Sequence, residues 1–173
     1  MRSIRTWQLL GFAVTSLAGT VLHFLYDLLG RNILIAPFSG VNESTWEHMK
    51  LLFWPLAVYA LIQSFFFRER EDFWCIKARG ILLGLSLIPV LFYTYNGAIG
   101  KSPDFINIAI FFVSAAAVFI YETRLWSKEK VLFCSTRVAV CLIFIISLLF
   151  IIFTFNTPTL GIFRDPITGT YGI

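Results

Sequence analysis

The sequence predicts an all-α integral membrane protein, one bundle of five transmembrane helices with the N-terminus cytoplasmic and the C-terminus outside. Three observations carry this reading. Of 173 residues, 58% are hydrophobic and 14% charged, with nineteen Phe and five Trp. A water-soluble domain of this size cannot bury that much apolar side chain, so the solvent is lipid. Five apolar runs of about twenty residues, the length that crosses a bilayer, are separated by short charged or Pro/Gly-containing turns. Lys and Arg collect on alternate turns, which sets the orientation. The formal net charge of +4 is spread between helices and gives no nucleic-acid signal.

The first apolar run, 7–29, follows Arg2 and Arg5 and is too long for a secretory signal, so it reads as a retained first helix. Ser16, Gly19, Thr20, His23 and Asp27 recur along one stripe of it, and small or polar residues on one stripe face other helices rather than lipid. His23 and Asp27 share a face at i, i+4. An imidazole and a carboxylate inside a membrane helix point to function unless they are paired. Residues 30–41 form an interfacial loop interrupted by Pro37 and Gly40. The second helix runs from Asn42 to about residue 67, with Pro55 inside it.

After the charged turn 68–72, the third helix covers 75–99. Its Gly80-x-x-x-Gly84 spacing allows close approach of a neighbour, and Pro89 bends it. The fourth helix covers 104–126, with Asn107 and Ser114 on one face, and the fifth covers 131–155. Residues 1–155 thus form the bundle. The tail 156–173 carries turn residues beside Phe163, Ile167, Tyr171 and Ile173, and is expected to dock on the outer face. Cys75, Cys134 and Cys141 lack metal or redox spacing and read as small packing residues rather than a disulfide framework.

The stretch Asn42-Glu43-Ser44-Thr45-Trp46-Glu47-His48-Met49-Lys50 is the most polar of the chain. Part of it is capping chemistry. Asn42 suits an N-cap, Val41 and Trp46 have the spacing of a hydrophobic staple, and Ser44-x-x-Glu47 fits a capping box one turn later. Capping does not account for the second glutamate, His48 and Lys50 together. At about 1.5 Å rise per residue, Asp27, Glu47 and His48 fall at similar depth, with His23 roughly one turn deeper. His23, Asp27, Glu43, Glu47 and His48 are therefore expected to converge on one polar cavity between the first two helices.

Imidazole and carboxylate suit a divalent metal such as Zn, with His23, Asp27, Glu47 and His48 as candidate ligands. Glu43, Glu47 and His48 are the candidate catalytic residues of a metal-dependent hydrolase working through metal-activated water at the outer membrane surface. Asn42, Ser44 and Lys50 at the helix start, with Tyr95 and Asn96 at the end of the third helix, are candidates for ligand binding. Other readings stand beside this one. His23 and His48 could hold haem. The chain could be a transport component, or a membrane subunit or assembly factor in which these residues only cap and cross-link helices. The partners implied are the lipid bilayer and either a second copy or another membrane protein.

The runs Gly40-Val41-Asn42-Glu43-Ser44-Thr45-Trp46-Glu47-His48-Met49-Lys50-Leu51 and Phe163-Arg164-Asp165-Pro166-Ile167-Thr168-Gly169-Thr170-Tyr171-Gly172-Ile173 resemble a family of small bacterial multi-pass membrane proteins with no assigned reaction. The resemblance covers nearly the whole chain. It implies a bacterial inner (plasma) membrane location and adds no mechanism.

Orientation follows from charge. Arg2, Arg5, Arg68, Arg70, Lys77, Arg79, Arg124, Lys128, Lys130 and Arg137 lie towards one side, against Arg31, Lys50, Lys101 and Arg164 towards the other. The positive-inside rule puts the first group in the cytoplasm. Trp7, Trp74 and Trp126 then form the inner aromatic belt, with Trp46 at the outer interface. A reporter fused after Ile173 should be active only when it is one that works outside the cytoplasm. Activity of a cytoplasm-only reporter at that position would overturn the orientation.

Overall fold

In the computed structural model, residues 2–100, 103–131 and 133–173 are described, without the side chains of Arg2, Ser3 and Asp104. The expected charge at Lys101 lies outside the described residues. The chain forms α1 (Arg2–Leu28), α2 (Thr45–Phe66), α3 (Phe73–Ala98), α4 (Asp104–Trp126) and α5 (Thr136–Phe155), then a 3₁₀ turn at Gly161–Phe163. Each of the five helices is long and apolar enough to cross a membrane.

Helices α1 to α4 close into a ring, in which α1 and α3 each pack against both α2 and α4, and α5 lies outside on α3. Small residues set these spacings. A Cβ on Gly19 of α1 would come within 2.4 Å of the Phe111 ring of α4, and one on Gly80 of α3 within 2.5 Å of the Glu122 carboxylate of α4. Close backbone approach is how helices gain packing where lipid supplies no hydrophobic drive. Leu52, Phe53, Leu56, Ile81, Val118 and Phe150 are the centre of the resulting core.

Two boundaries differ from the sequence expectation. The N-cap of α2 is Ser44, whose hydroxyl accepts from Glu47 N–H, while Asn42 turns back to accept from Ser44 N–H at 2.9 Å. A local side-chain turn at Asn42 thus outcompetes helix extension. With the cap at Ser44, Val41 and Trp46 no longer stand at the staple positions, and the Trp46 ring packs on Phe150, Phe153 and Phe163. Helix α5 starts at Thr136 rather than 131, because the preceding segment is held in other ways. Val131 N–H donates to Asp72 at 2.6 Å, Phe133 has φ 55°, and Cys134 is covalently bonded.

That last point corrects the reading of the cysteines. Cys75 at the start of α3 and Cys134 before α5 form a disulfide, and only Cys141 is a free thiol. A bridge between residues 59 apart in sequence leaves no local spacing to read. Around it the end of the bundle is cross-tied. Arg70 bonds Asp72 and Lys128 O, and Thr136 Oγ1 donates to Glu71 O. Burial raises the Asp72 carboxyl, but the Arg70 guanidinium and Val131 N–H outweigh it and hold the group below the ordinary carboxylate range. Trp7, Trp74 and Trp126 all lie here, linked through Phe66, Phe67 and Phe73.

Lys77, counted from sequence with the charges of one side, is buried. It pairs with Glu122 at 2.5 Å, both side chains almost fully excluded from solvent. The Gln8 amide, oriented to satisfy its neighbours, donates to Glu122 at 3.1 Å and accepts from Trp126 Nε1 at 2.9 Å. Lys77→Met should leave an unpaired buried carboxylate and destabilise the bundle by about 3–5 kcal/mol. Thermal unfolding in detergent measures this. Lys77→Met with Glu122→Met should recover most of the loss, because the pair's own net contribution is small once neither charge is stranded.

Candidate metal centre

The site lies at the end of the bundle where α2 begins, and its geometry starts from a buried ion pair. Lys50, fully buried, meets Glu47 at 2.5 Å. Its ammonium also donates to Ala36 O at 2.8 Å and to Thr154 Oγ1 of α5 at 3.2 Å. Glu47 accepts from Val41 N–H at 3.0 Å. Loop 29–44 is thereby laid back over the helix ends. Trp54 Nε1 fastens it again at Pro37 O. The Ser39 hydroxyl bridges Leu22 O and Tyr26 N–H, two groups that an α-helix would otherwise pair with each other. Left-handed conformations at Gly30 and Arg31 start the reversal, the glycine at little cost because it has no Cβ.

This path carries Glu43 between two histidines. His23 comes from α1 beside the Ser39 bridge, and His48 from the first turn of α2. The Glu43 carboxylate lies 3.6 Å from His23 Nε2 through one oxygen and 3.6 Å from His48 Nε2 through the other. One ligand atom from each of the three residues falls within 4.8 Å of the others, the one such group among the described residues. The two imidazole centroids are 5.8 Å apart.

The tautomer of His48 follows from its partner. His48 Nδ1 sits 2.9 Å from Ser44 O, and a carbonyl can only accept, so Nδ1 carries the proton. In the neutral ring Nε2 then presents its lone pair towards Glu43. A ring nitrogen fixed by a backbone carbonyl, with the other left to ligate, is the usual support of a metal-bound histidine.

The tail completes the support. Asn42 Nδ2 donates to Gly172 O at 2.9 Å, and Phe163 is buried against Trp46. Glu43 N–H bonds the Asp165 carboxylate, which also accepts from Ile167 and Thr168 N–H. Burial raises the Asp165 carboxyl, yet these donors outweigh it and keep the group below its ordinary range.

Of the expected site residues, His23, Glu43 and His48 come together. Asp27 lies apart, paired with Arg31 at 3.0 Å with both side chains about three-quarters exposed. Glu47 and Lys50 stand behind the group as the support of its loop, and Asn42 and Ser44 are engaged in turn and cap. Tyr95 lines a separate groove between α3 and α4, and Asn96 donates to Phe92 O of its own helix. The sequence reading missed Asp165 and Asn107 as neighbours of the site. Asn107 was visible as a polar residue of α4, whereas Asp165 was read only as turn chemistry.

Two spaces adjoin the histidines. A void of about 10 Å³ bordered by Glu43, Thr45, His48 and Asn107 is near the room one water needs. A cleft of about 290 Å³ opens between α1 and α4 with His23 and His48 at its head. Asp165→Ala should release the tail and with it Glu43. Limited proteolysis should then cut residues 157–173 several times faster than in the wild type, with the bundle intact. Unchanged cleavage would mean that the carboxylate does not hold the tail.

No match was found among curated proteins or among solved structures. The family comparison covers the full length: a family model matches residues 1–173, and the chain belongs to that family, described as a family of unknown function (DUF6512).

Proposed function

We propose that this multi-pass membrane protein binds a divalent transition metal, zinc being the ion whose preferences it fits, through His23 Nε2, His48 Nε2 and the Glu43 carboxylate. The observation that carries the reading is the spacing of the three ligand atoms. At 3.6 Å the histidine–glutamate contacts are longer than hydrogen bonds, so the cluster is not closed upon itself. Two ligands about 2.0–2.1 Å from a tetrahedral zinc lie about 3.3 Å apart; the two histidine–glutamate contacts are close to that spacing, and the full set, within 4.8 Å, reaches it by drawing the side chains together around the ion. A helix cross-link made only of these three residues would have closed to hydrogen-bonding distance, which weighs against the purely structural reading.

Two histidines, one glutamate and an open position are the ligand set of catalytic zinc, whereas structural sites are filled by four protein ligands. The water-sized void beside Glu43 and His48 is where a bound water would sit, activated for attack on a substrate by the metal. The class of reaction this supports is hydrolysis at the membrane surface. Glu47, Lys50, Ser44 and Asp165 hold the ligands and do not react.

The further reading is that the site faces the outside of a bacterial inner membrane. Burial of Lys77 and Lys50 in ion pairs removes one cation from each side of the charge count, and the asymmetry persists at nine to three.

Purified from cells and dialysed, the protein should retain about one zinc per chain by elemental analysis, and cobalt substitution should give the intense visible bands of a tetrahedral centre. His48→Ala and Glu43→Gln should lower metal affinity by a factor of ten or more, roughly the scale seen when even supporting partners of a metal ligand are removed. Asp27→Asn, remote from the group, should retain metal. Metal content unchanged in His48→Ala would overturn the proposal.

A further inference from the structure

The cleft beside the histidines has a shape and position that specify what enters it. Its walls are Gly19, Thr20 and Phe24 of α1, with Ile108, Phe111 and Phe112 of α4; Leu51 and His48 of α2 lie behind. Apart from its histidine head, Thr20 and Asn107, the lining is apolar. At the level of Gly19 the Phe111 ring comes close to α1, and the cleft extends from there to the two histidines.

Its depth is set by helix rise. Asn107 and Phe112 lie three and eight residues into α4, so the cleft runs from about 5 to about 12 Å below the helix end. The same level on α1 is bordered by Val21 and Phe24, about 60% exposed, and on α4 by Ile108, 57% exposed. Exposed apolar residues within a membrane span face acyl chains, so the mouth opens sideways into lipid. Glu43, by contrast, lies in the loop before α2 and is 41% exposed. The three ligands therefore stand where an aqueous surface and a lipid-facing cleft meet. A divalent ion held by one carboxylate and two neutral imidazoles leaves positive charge uncompensated, which favours an anionic oxygen donor.

We infer that the cleft takes one acyl chain of a membrane amphiphile, entering laterally between α1 and α4, and that the metal at His23, Glu43 and His48 receives the anionic oxygen of its head. The inference rests on the metal reading. It narrows the substrate class to single-chain or chain-splayed lipids with a phosphate or carboxylate head, and excludes water-soluble substrates with the same head. A cleft of this size is at the lower end of small-molecule sites and fits part of one chain, not two.

The test uses the full chain in nanodiscs of phosphatidylcholine, with and without zinc. The probes are phosphatidic acid and a fatty acid, each bearing a diazirine at the chain's methyl end. Labelling should concentrate on the α1 and α4 segments that line the cleft and should saturate with probe. Thr20→Trp and Ile108→Trp each place bulk in the cleft without replacing a ligand. Denying the chain about two methylenes of burial should reduce saturable labelling roughly tenfold, with zinc content at the wild-type level. Zinc removal should reduce it for both probes, and soluble glycerol phosphate or acetate should not compete at concentrations where the lipids do.

Labelling spread evenly over lipid-facing helices, or insensitive to both tryptophan variants, would overturn the inference. So would saturable labelling at full strength in the zinc-free protein, or displacement by the soluble heads alone. Zinc content, measured before any lipid is added, keeps the two readings separate. A chain that never holds zinc refutes the metal centre, and one that holds zinc but shows no cleft labelling refutes only the lipid.

Discussion

The contact between Glu47 and Lys50 governs the site end of the molecule. Two opposite charges excluded from water inside an apolar bundle are tolerated only when further hydrogen bonds complete them. Here those bonds come from two other segments: Val41 N–H and Ala36 O of the loop and Thr154 of α5. The pair can be buried only if the loop doubles back and α5 closes over it. With the loop so placed, Ser39 seats on α1 beside His23, and Glu43 lies between the two histidines. His23, Glu43 and His48 are gathered by an ion pair that is not among them.

This explains why the sequence was informative about some features and not others. Five spans could be read because each is long and apolar, and in lipid a helix is the only open-ended way to satisfy the backbone. The polar run from Asn42 to Lys50 stood out for the opposite reason, as charge concentrated where charge is costly. Its division of labour did not. Glu43 and Glu47 are identical in type and four residues apart; what separates them is that Lys50 lies within reach of one and His23 of the other. That distinction depends on the loop's return, which no local pattern encodes. Asp27 was ranked with His23 by helical spacing, yet five residues from the end of a helix and one from it are different solvents.

The far end obeys the same physics with other residues. Lys77 and Glu122 are 45 positions apart and are complementary only in the folded bundle, where Gln8, itself held by Trp126, donates to the carboxylate. Read separately, each looks like a helix-end charge. The tail illustrates the converse. Asp165-Pro166 was legible as a turn, and it is one, but the turn also aims a carboxylate at the backbone of Glu43. A local rule that explains a residue completely can conceal a second task.

The bridge between Cys75 and Cys134 carries a separate consequence. It ties the α3 start to the segment before α5, at the end of the bundle rich in Arg and Lys. Protein disulfides persist in oxidising compartments, and in the cytosol of mesophiles the thioredoxin and glutathione systems keep such thiols reduced. The two sides of one membrane therefore assign this pair two different chemical forms. If that end faces inward, α5 is held there without a covalent tie, by the Asp72, Arg70 and Thr136 contacts and the apolar packing of Val131 and Ala139, with two thiols side by side. If it faces outward, the same segment is covalently fastened. The redox form of a single bond thus records the sidedness of the whole chain, by a route independent of its charge.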